Sequence, residues 1–234
     1  GISDPQAATE DAKPVIDGQH TIDGSLIDAN SPQGEVAHFA FDVIAGNKTP
    51  DDVGHHDATC SDASRPTVVV GHRAFALQFV SPEYAIIPAS AAFDSQALTI
   101  ALWVEIVTLP GLASDCLLDQ PQTLSLCLTT MGQVTFATTF NGVANSLTIQ
   151  HGLALDTWYH VAVSLDGQAK KIYINGLVDT STLAEITPTG SEIYVGAEPN
   201  GSGVTGSYAN VALDELTFYS RALGASEIQT LANQ

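Results

Sequence analysis

Cleaving a glycosidic bond needs two carboxylates flanking the sugar, one to protonate the leaving oxygen and one to attack or to activate water. No Glu-x-Asp-x-x-Glu or similar cluster that would line such groups along one strand occurs in the sequence. Asp214-Glu215 are consecutive, and on a regular strand consecutive side chains point to opposite faces. A lyase acting on an acidic polysaccharide needs Tyr and His, with Arg or amides to stabilise the acidic sugar. Gln150-His151 and His160 are the candidates, but a chain with 7 Lys and Arg is poorly equipped to hold a polyanion. His160 lies inside the apolar run Trp158-Tyr-His-Val-Ala-Val-Ser-Leu165 and is expected to be a packed structural histidine. His55-His56-Asp57 has the residue types of a metal site. Consecutive side chains rarely bind one ion, however, and Asp52-Val-Gly54 marks a turn, so an exposed polar loop is expected there. No serine-nucleophile motif, P-loop or dinucleotide fingerprint is present.

Recognition without catalysis asks for less. Sugar C–H faces stack on aromatic rings, while the hydroxyls seek planar hydrogen-bonding groups. Tyr208, Asn200 and Asn210 lie in or beside the Gly-rich stretch Gly196 to Asn210, and Asn141 and Asn145 lie in a second polar loop. These five are the candidate ligand-binding residues. The 26 Asp and Glu against 7 Lys and Arg leave a net charge of -19. Such a surface repels nucleic acid and anionic membrane, so cations, neutral sugars and basic proteins are the partners to expect. No apolar run approaches the ~18 to 20 residues of a membrane span, and no signal peptide is present. The chain opens Gly1-Ile2-Ser3 without Met, from which removal of a leader, and hence a secreted or cell-surface location, is expected. Cys60, Cys116 and Cys127 lack the spacing of a zinc site and can form at most one internal disulfide. Cys116 and Cys127 flank a hairpin-like segment and could face each other across two strands; three buried thiols is the alternative.

Strands must position these groups. A composition of 44% hydrophobic and 14% charged residues is that of a folded chain. Residues 1–33, rich in Asp, Pro, Ala, Ser and Gln with no sustained apolar period, read as a linker or tether. From 34 to 234 short apolar runs alternate with Gly, Asp, Asn and Pro, the pattern of an antiparallel all-β domain. In Leu98-Thr-Ile-Ala-Leu-Trp-Val104 both faces are largely apolar, which predicts a central strand. Asp166-Gly167 between Trp158–Leu165 and Lys171-Ile-Tyr-Ile-Asn175 predicts a hairpin. One short helix is expected over Ala225 to Leu231. Leu102, Trp103, Val161, Val163, Ile172, Ile174, Leu216 and Phe218 are the expected core.

The order of short motifs resembles the laminin-G-like, concanavalin-A-like jelly-roll family, which includes pentraxin-like domains. The motifs are Leu98 to Val104, Thr157-Trp-Tyr-His-Val-Ala-Val163, Asp166-Gly with Lys171-Ile-Tyr-Ile-Asn-Gly176, Ile193-Tyr-Val-Gly196, and Leu213-Asp-Glu-Leu-Thr-Phe-Tyr-Ser-Arg-Ala-Leu223 followed by Ser226-Glu-Ile228. The fit covers roughly Gly34 to Ala232. It departs from the family at Val80-Ser81, where many relatives have Asp-Gly. The resemblance implies a two-sheet antiparallel β-sandwich with ligand sites on rim loops or the concave face, and no activity in itself.

Counting by twos along the last long strand puts Ala212, Asp214, Leu216 and Phe218 on one face, so Asp214 would carry its charge on a buried side. Unpaired, that costs on the order of several kcal/mol, and cationic side chains are scarce. The resemblance implies a structural Ca²⁺ held by this strand's Asp with backbone carbonyls and a group from the N-terminal strand, here Asp42. The alternative is that Asp214 accepts backbone N–H groups and binds nothing. The sequence thus leads to an extracellular, non-catalytic binding or adhesion module, with a glycan as first partner and an extracellular protein as second. The competing expectation is a cryptic polysaccharide hydrolase or lyase on the same fold.

Overall fold

A computed structural model describes residues 20–22, 25–27, 32–61, 65–200 and 203–234. Its contacts separate into two units, Gly1–Ser31 and Pro32–Gln234. In the first, β1 (His20–Ile22) and β2 (Ser25–Ile27) pair as an antiparallel hairpin; the remainder of the expected linker lies mostly outside the described residues. The second unit runs through β3 (Glu35–Phe39), β4 (Lys48–Thr49), β5 (Ala58–Cys60), β6 (Thr67–Val70), β7 (Phe75–Phe79), β8 (Ala85–Ile87) and β9 (Leu98–Ile106). It continues through β10 (Asp115–Gln120), β11 (Leu124–Leu128), β12 (Val134–Phe140), β13 (Val143–Thr148), β14 (Trp158–Leu165), β15 (Ala169–Ile174) and β16 (Leu177–Leu183). It closes with β17 (Ile193–Val195), β18 (Ala197–Asn200), β19 (Gly203–Tyr208), β20 (Val211–Tyr219) and the helix α1 (Ala225–Leu231).

Two eight-stranded antiparallel sheets result. Sheet I has the order β13-β12-β11-β10-β17-β8-β5-β4, and sheet II the order β16-β15-β14-β9-β20-β7-β6, with β3 also pairing to β20. Period-2 alternation sends one side of each strand inward. Ile100, Leu102 and Val104 of β9, Val161 and Val163 of β14, and Leu216 and Phe218 of β20 meet Leu118, Leu126, Leu128 and Phe136 of sheet I in one core. The strand expected to be central is so: β9 lies between β14 and β20, and its outward side is covered as well. There Ala101, Ala162, Tyr173 and Tyr219 pack against Leu223, Ile228 and Leu231 of the α1 region. The Arg221 guanidinium pairs with Glu227, which also accepts the Gly224 N–H at 2.9 Å, and the two together hold the Glu227 carboxyl down at about 2.

The predicted hairpin forms as expected. Asp166 Oδ1 accepts the N–H groups of Gln168 and Ala169 at 3.0 and 2.8 Å, Gly167 takes φ +88°, and Val163 stands opposite Ile172. Of the alternatives for the cysteines, the disulfide is the one present: Cys116 and Cys127 are register partners on β10 and β11, bonded to each other, while Cys60 is a buried free thiol. Closing a loop of sequence separation 11 restricts the unfolded chain, so Cys116→Ala/Cys127→Ala should lose about 3 kcal/mol of stability in urea titrations. A loss under about 1 kcal/mol would mean that the sheet alone holds this hairpin.

One expectation needs correction. Asp214 does not share a face with Leu216 and Phe218. β20 carries a bulge in which Asp214 pairs with Trp103 but Thr217 pairs with Ala101, and Glu215 adopts φ +52°. The extra residue resets the alternation, so Leu213, Leu216 and Phe218 all point into the core. For the same reason Asp214 and Glu215 do not point to opposite faces. Both turn outward toward the loop after β6, where Arg73 donates its backbone N–H to Asp214 and places its guanidinium 3.8 Å from Glu215.

Candidate functional site

Register aligns one row of outward side chains across seven strands of sheet I. Thr59 pairs with Ile86, Ile86 with Tyr194, Tyr194 with Asp119, Asp119 with Ser125, Ser125 with Ala137 and Ala137 with Ser146. On β5, β8, β17 and β11 the residues on either side of the row are core residues, and Leu118, Phe136 and Leu147 flank it on β10, β12 and β13, so the row faces away from the interior. At its centre Tyr194 lies beside two further rings. Tyr84, just ahead of β8, is 6.5 Å from the Tyr194 centroid and 6.4 Å from that of Tyr208, which the β18–β19 hairpin brings against β10. The sequence reading left that hairpin as a Gly-rich loop. All three tyrosines are only partly buried.

Carboxylates complete the face. Burial, reinforced by the charge of Glu198, pushes the Asp119 carboxyl up to about 7. Asp115 is raised as well, by burial first and Glu198 last, with the Ser207 hydroxyl opposing at 3.4 Å. The Tyr194 hydroxyl donates to Glu192 at 3.4 Å, and its pKa is raised by burial and then by that carboxylate. Rings that stack on sugar C–H faces beside acceptors for hydroxyls are the elements that carbohydrate recognition uses. Sequence reasoning found Tyr208 but missed Tyr84, Tyr194, Asp119 and Glu198, which only the register brings together. The one local signal was Tyr194 alternating out between Ile193 and Val195.

The other expected residues are dispersed. Asn141 occupies the β12–β13 turn at φ +49° and donates its N–H to Thr187 Oγ1 at 3.0 Å. Asn145 is exposed on edge strand β13, and its carbonyl accepts the Lys170 ammonium. Asn210 donates Nδ2 to Thr108 Oγ1 at 2.6 Å while its Oδ1 is buried without a partner. The Asn200 side chain lies outside the described residues. His151 is exposed in the bend after β13, while His160 is buried on β14. The His55-His56-Asp57 segment is wrapped around buried Asp51. That carboxylate accepts the backbone N–H groups of His38, Val53, Gly54 and His56, and His56 Nδ1 lies 2.9 Å away. His55 is exposed; His56 and Asp57 are half-buried.

Asp42 and Asp214 are gathered by the loop between β6 and β7. Phe75 donates its N–H to Asp42 Oδ1 at 2.9 Å, and Arg73 donates to Asp214 Oδ2 at 2.8 Å. The approach is close enough that a Cβ on Gly71 would lie 2.6 Å from Asp214 Oδ2. Asp214 is fully buried, its Oδ1 has no hydrogen-bond partner, and burial followed by the charges of Glu215 and Asp42 pushes its carboxyl up to about 7. An orphaned buried oxygen short of counter-charge fits a hard cation. Among the described residues no group of three or more His, Cys, Asp or Glu is arranged to hold a metal. A cation here would therefore take its other ligands from backbone carbonyls and water, which suits Ca²⁺ rather than zinc.

The fold has counterparts among solved structures. The binding domain of Paraclostridial Mosquitocidal Protein 1 is similar at a TM-score of 0.69 and 17% identity, over 86% of this chain and 52% of that one. Domain 4 of an extracellular arabinanase from Geobacillus stearothermophilus, solved in complex with arabinotriose, is similar at a TM-score of 0.68 and 19% identity, over 85% and 98%. Trypanosoma rangeli sialidase in complex with sialic acid gives 0.63 and 19%, over 92% and 35%. The chain thus spans about half of the toxin domain and about a third of the sialidase, and at these identities the likeness is one of fold. Among curated proteins none matches the sequence. The family profile of the concanavalin A-like lectin/glucanases superfamily matches residues 81–229. That span is well over half of the 234 residues, and the chain belongs to that superfamily.

Proposed function

We propose that the protein is an extracellular, non-catalytic module that binds a glycan across the outward face of sheet I. The observation that carries this reading is the juxtaposition of Tyr84 and Tyr208 with the register neighbours Tyr194 and Asp119 on one outward face. The arabinanase domain, covered almost end to end and solved with arabinotriose, supports a carbohydrate as the ligand class. The net charge of -19 favours neutral or cationic glycans over acidic ones. Among the described residues no helix is long and apolar enough to cross a membrane. A glycan array, followed by calorimetric titration of the best ligand, tests the reading; saturable binding without release of reducing ends is the expected result. Binding to an extracellular protein alone, with an empty array, would overturn it.

One observation favours a second reading, hydrolysis. Asp119 has the raised carboxyl of a general acid, and the charge of Glu198 reaches it. A reducing-sugar assay on a polysaccharide panel decides: turnover that Asp119→Asn abolishes makes the chain an enzyme.

We also propose that Asp42 and Asp214 hold a structural Ca²⁺, which would supply the counter-charge missing around the buried carboxylate. Without it, the folded chain keeps a proton on Asp214 up to about pH 7 that the unfolded chain releases near pH 4. Stability contributed by that proton is present at low pH and is lost as the pH rises toward and through 7. Calcium should therefore raise the unfolding midpoint at pH 7.5 by about 5 °C relative to a chelator, and Asp214→Asn should erase the difference. Equal midpoints with and without chelator in the parent would remove the ion.

A further inference from the structure

A sheet ends in strands whose outward main-chain groups lack partners unless the chain covers or blunts them. Among the described residues, three of the four ends of sheets I and II are managed in this way. β13 and β16, at one end of each sheet, lie against each other. β4, at the other end of sheet I, is two residues long and carries Lys48. β6, at the other end of sheet II, is Thr67-Val-Val-Val70, with no charge, no proline and no bulge. Register says which groups it presents. Gly71 donates its N–H to the Ala74 carbonyl at 3.2 Å, closing the β6–β7 turn. Counting back by twos, Val69 and Thr67 exchange hydrogen bonds with Ala76 and Gln78, while Val68 and Val70 turn their N–H and C=O groups away from β7. No other described strand lies beyond them. Their side chains are uncovered as well. Leu77, opposite Val68, is in the core, yet Val70 is 80% exposed and its register partner Phe75 50%. An apolar shelf thus runs beside the free main-chain groups.

Charge selects what can lie there. Arg65 and Arg73 stand at the two ends of β6, in a chain with only 7 Lys and Arg. Among the described residues Arg65 has no carboxylate partner, and Arg73 is half exposed with its guanidinium 3.8 Å from Glu215. The nearby carboxylates are already engaged, Glu215 by His38 and Asp42 by the Phe75 N–H. A second copy docked edge to edge about Val69 would set each Arg65 opposite the other chain's Arg73, and would bring together two chains of net charge -19. A short extended segment carries far less charge. Beyond about 8 Å the field of the whole domain is screened at physiological salt, so the two arginines decide locally.

We infer that β6 is a docking edge for an extended segment of another protein, one with apolar residues at alternate positions and a carboxylate near each end. The segment adds to sheet II as a further strand, bonded to the N–H and C=O groups of Val68 and Val70, with its apolar side chains beside Val70 and Phe75. The docking edge is on sheet II and Tyr194 is on sheet I, so this site and the glycan face can be lost separately.

The probe is an end-blocked, fluorescein-labelled peptide of about eight residues, valine alternating with threonine between terminal aspartates, which matches the span from Arg65 to the β6–β7 turn. Its anisotropy should rise saturably with the parent protein and equally with Tyr194→Ala. Binding should weaken about tenfold or more in Val70→Pro, which removes one outward N–H and leaves the bonds to β7 whole, and should weaken as much when the peptide ends in lysines. Because Val70→Pro can disturb the fold, amide exchange of the parent is followed as well: the Val68 and Val70 amides should become protected at peptide saturation, while that of Val69 is protected throughout. No rise up to about 1 mM protein, parent-like binding by Val70→Pro, or unprotected Val68 and Val70 amides at saturation overturns the inference. Equal binding of the lysine-ended peptide overturns the acidic partner. Self-association in sedimentation that Val70→Pro abolishes gives the edge to a second copy, and overturns the inference too.

Discussion

In Tyr194→Ala, affinity for the glycan bound by sheet I is expected to fall about 30-fold, with stability changed by no more than about 1 kcal/mol. Tyr194 stands at the middle of the outward row, between Ile86 and Asp119, with Tyr84 6.5 Å from its ring. Aromatic anchors at the centre of a binding surface typically carry about 2 kcal/mol or more when truncated, which is the 30-fold expected here. The ring contributes nothing to the interior, where Ile193 and Val195 on either side do the packing. The fold should therefore survive the change, as surface substitutions generally allow. Tyr194→Phe keeps the stacking surface and loses only the donation to Glu192, so it should retain most of the affinity. Titration calorimetry on the three proteins decides the matter. Parent-like binding by Tyr194→Ala would place the ligand elsewhere.

A second large effect is expected at Lys170, which spans the two sheets inside the sandwich. Its side chain is fully buried: Nζ lies 3.4 Å from Thr138 Oγ1, bonds the Asn145 carbonyl and sits 5.5 Å from the Phe136 ring. No carboxylate pairs with it among the described residues, and burial pushes the ammonium down to about 8. A lysine in the unfolded chain titrates near 10.4, so between these values the unfolded chain binds a proton that the folded chain has released. The sign follows directly. The cost of burying the charged amine is fully present below about pH 8 and is relieved as the pH rises toward 10.4. The relief amounts to about 3 kcal/mol. Other groups titrate in the same range: burial raises the Cys60 thiol to about 11, which works in the opposite direction. The quantity to measure is therefore the stability of the parent relative to Lys170→Met in urea, at several values between about pH 7 and 10.5. The parent should gain about 3 kcal/mol on the variant across that range. A constant difference would show that the ammonium is solvated.

The elements of this protein were written locally and could be read locally. Alternation over Leu98 to Val104 marked a strand covered on both faces, and β9 is that strand, because a period of two needs no partner to be recognised. Asp166-Gly167 marked the β14–β15 hairpin because the turn's positive φ is a property of its own residues. Ala225 to Leu231 marked the closing helix by its 3.6-residue spacing. The motif order placed the chain in its superfamily. What depended on distant partners was not legible. The bulge that turns Asp214 and Glu215 to one side arises where β20 pairs with β9, and nothing between Ala212 and Phe218 announces the extra residue. The candidate site is a row across seven strands in which Thr59, Ile86, Tyr194 and Asp119 come from separate parts of the chain and meet only through strand register. Composition pointed to asparagines in loops, since amides suit sugars. The fold instead left Asn141 and Asn145 at an edge and gathered tyrosines at the centre. Which side chains share a face within one strand is a local property of the chain; which strands lie side by side is decided by the closing of the whole core.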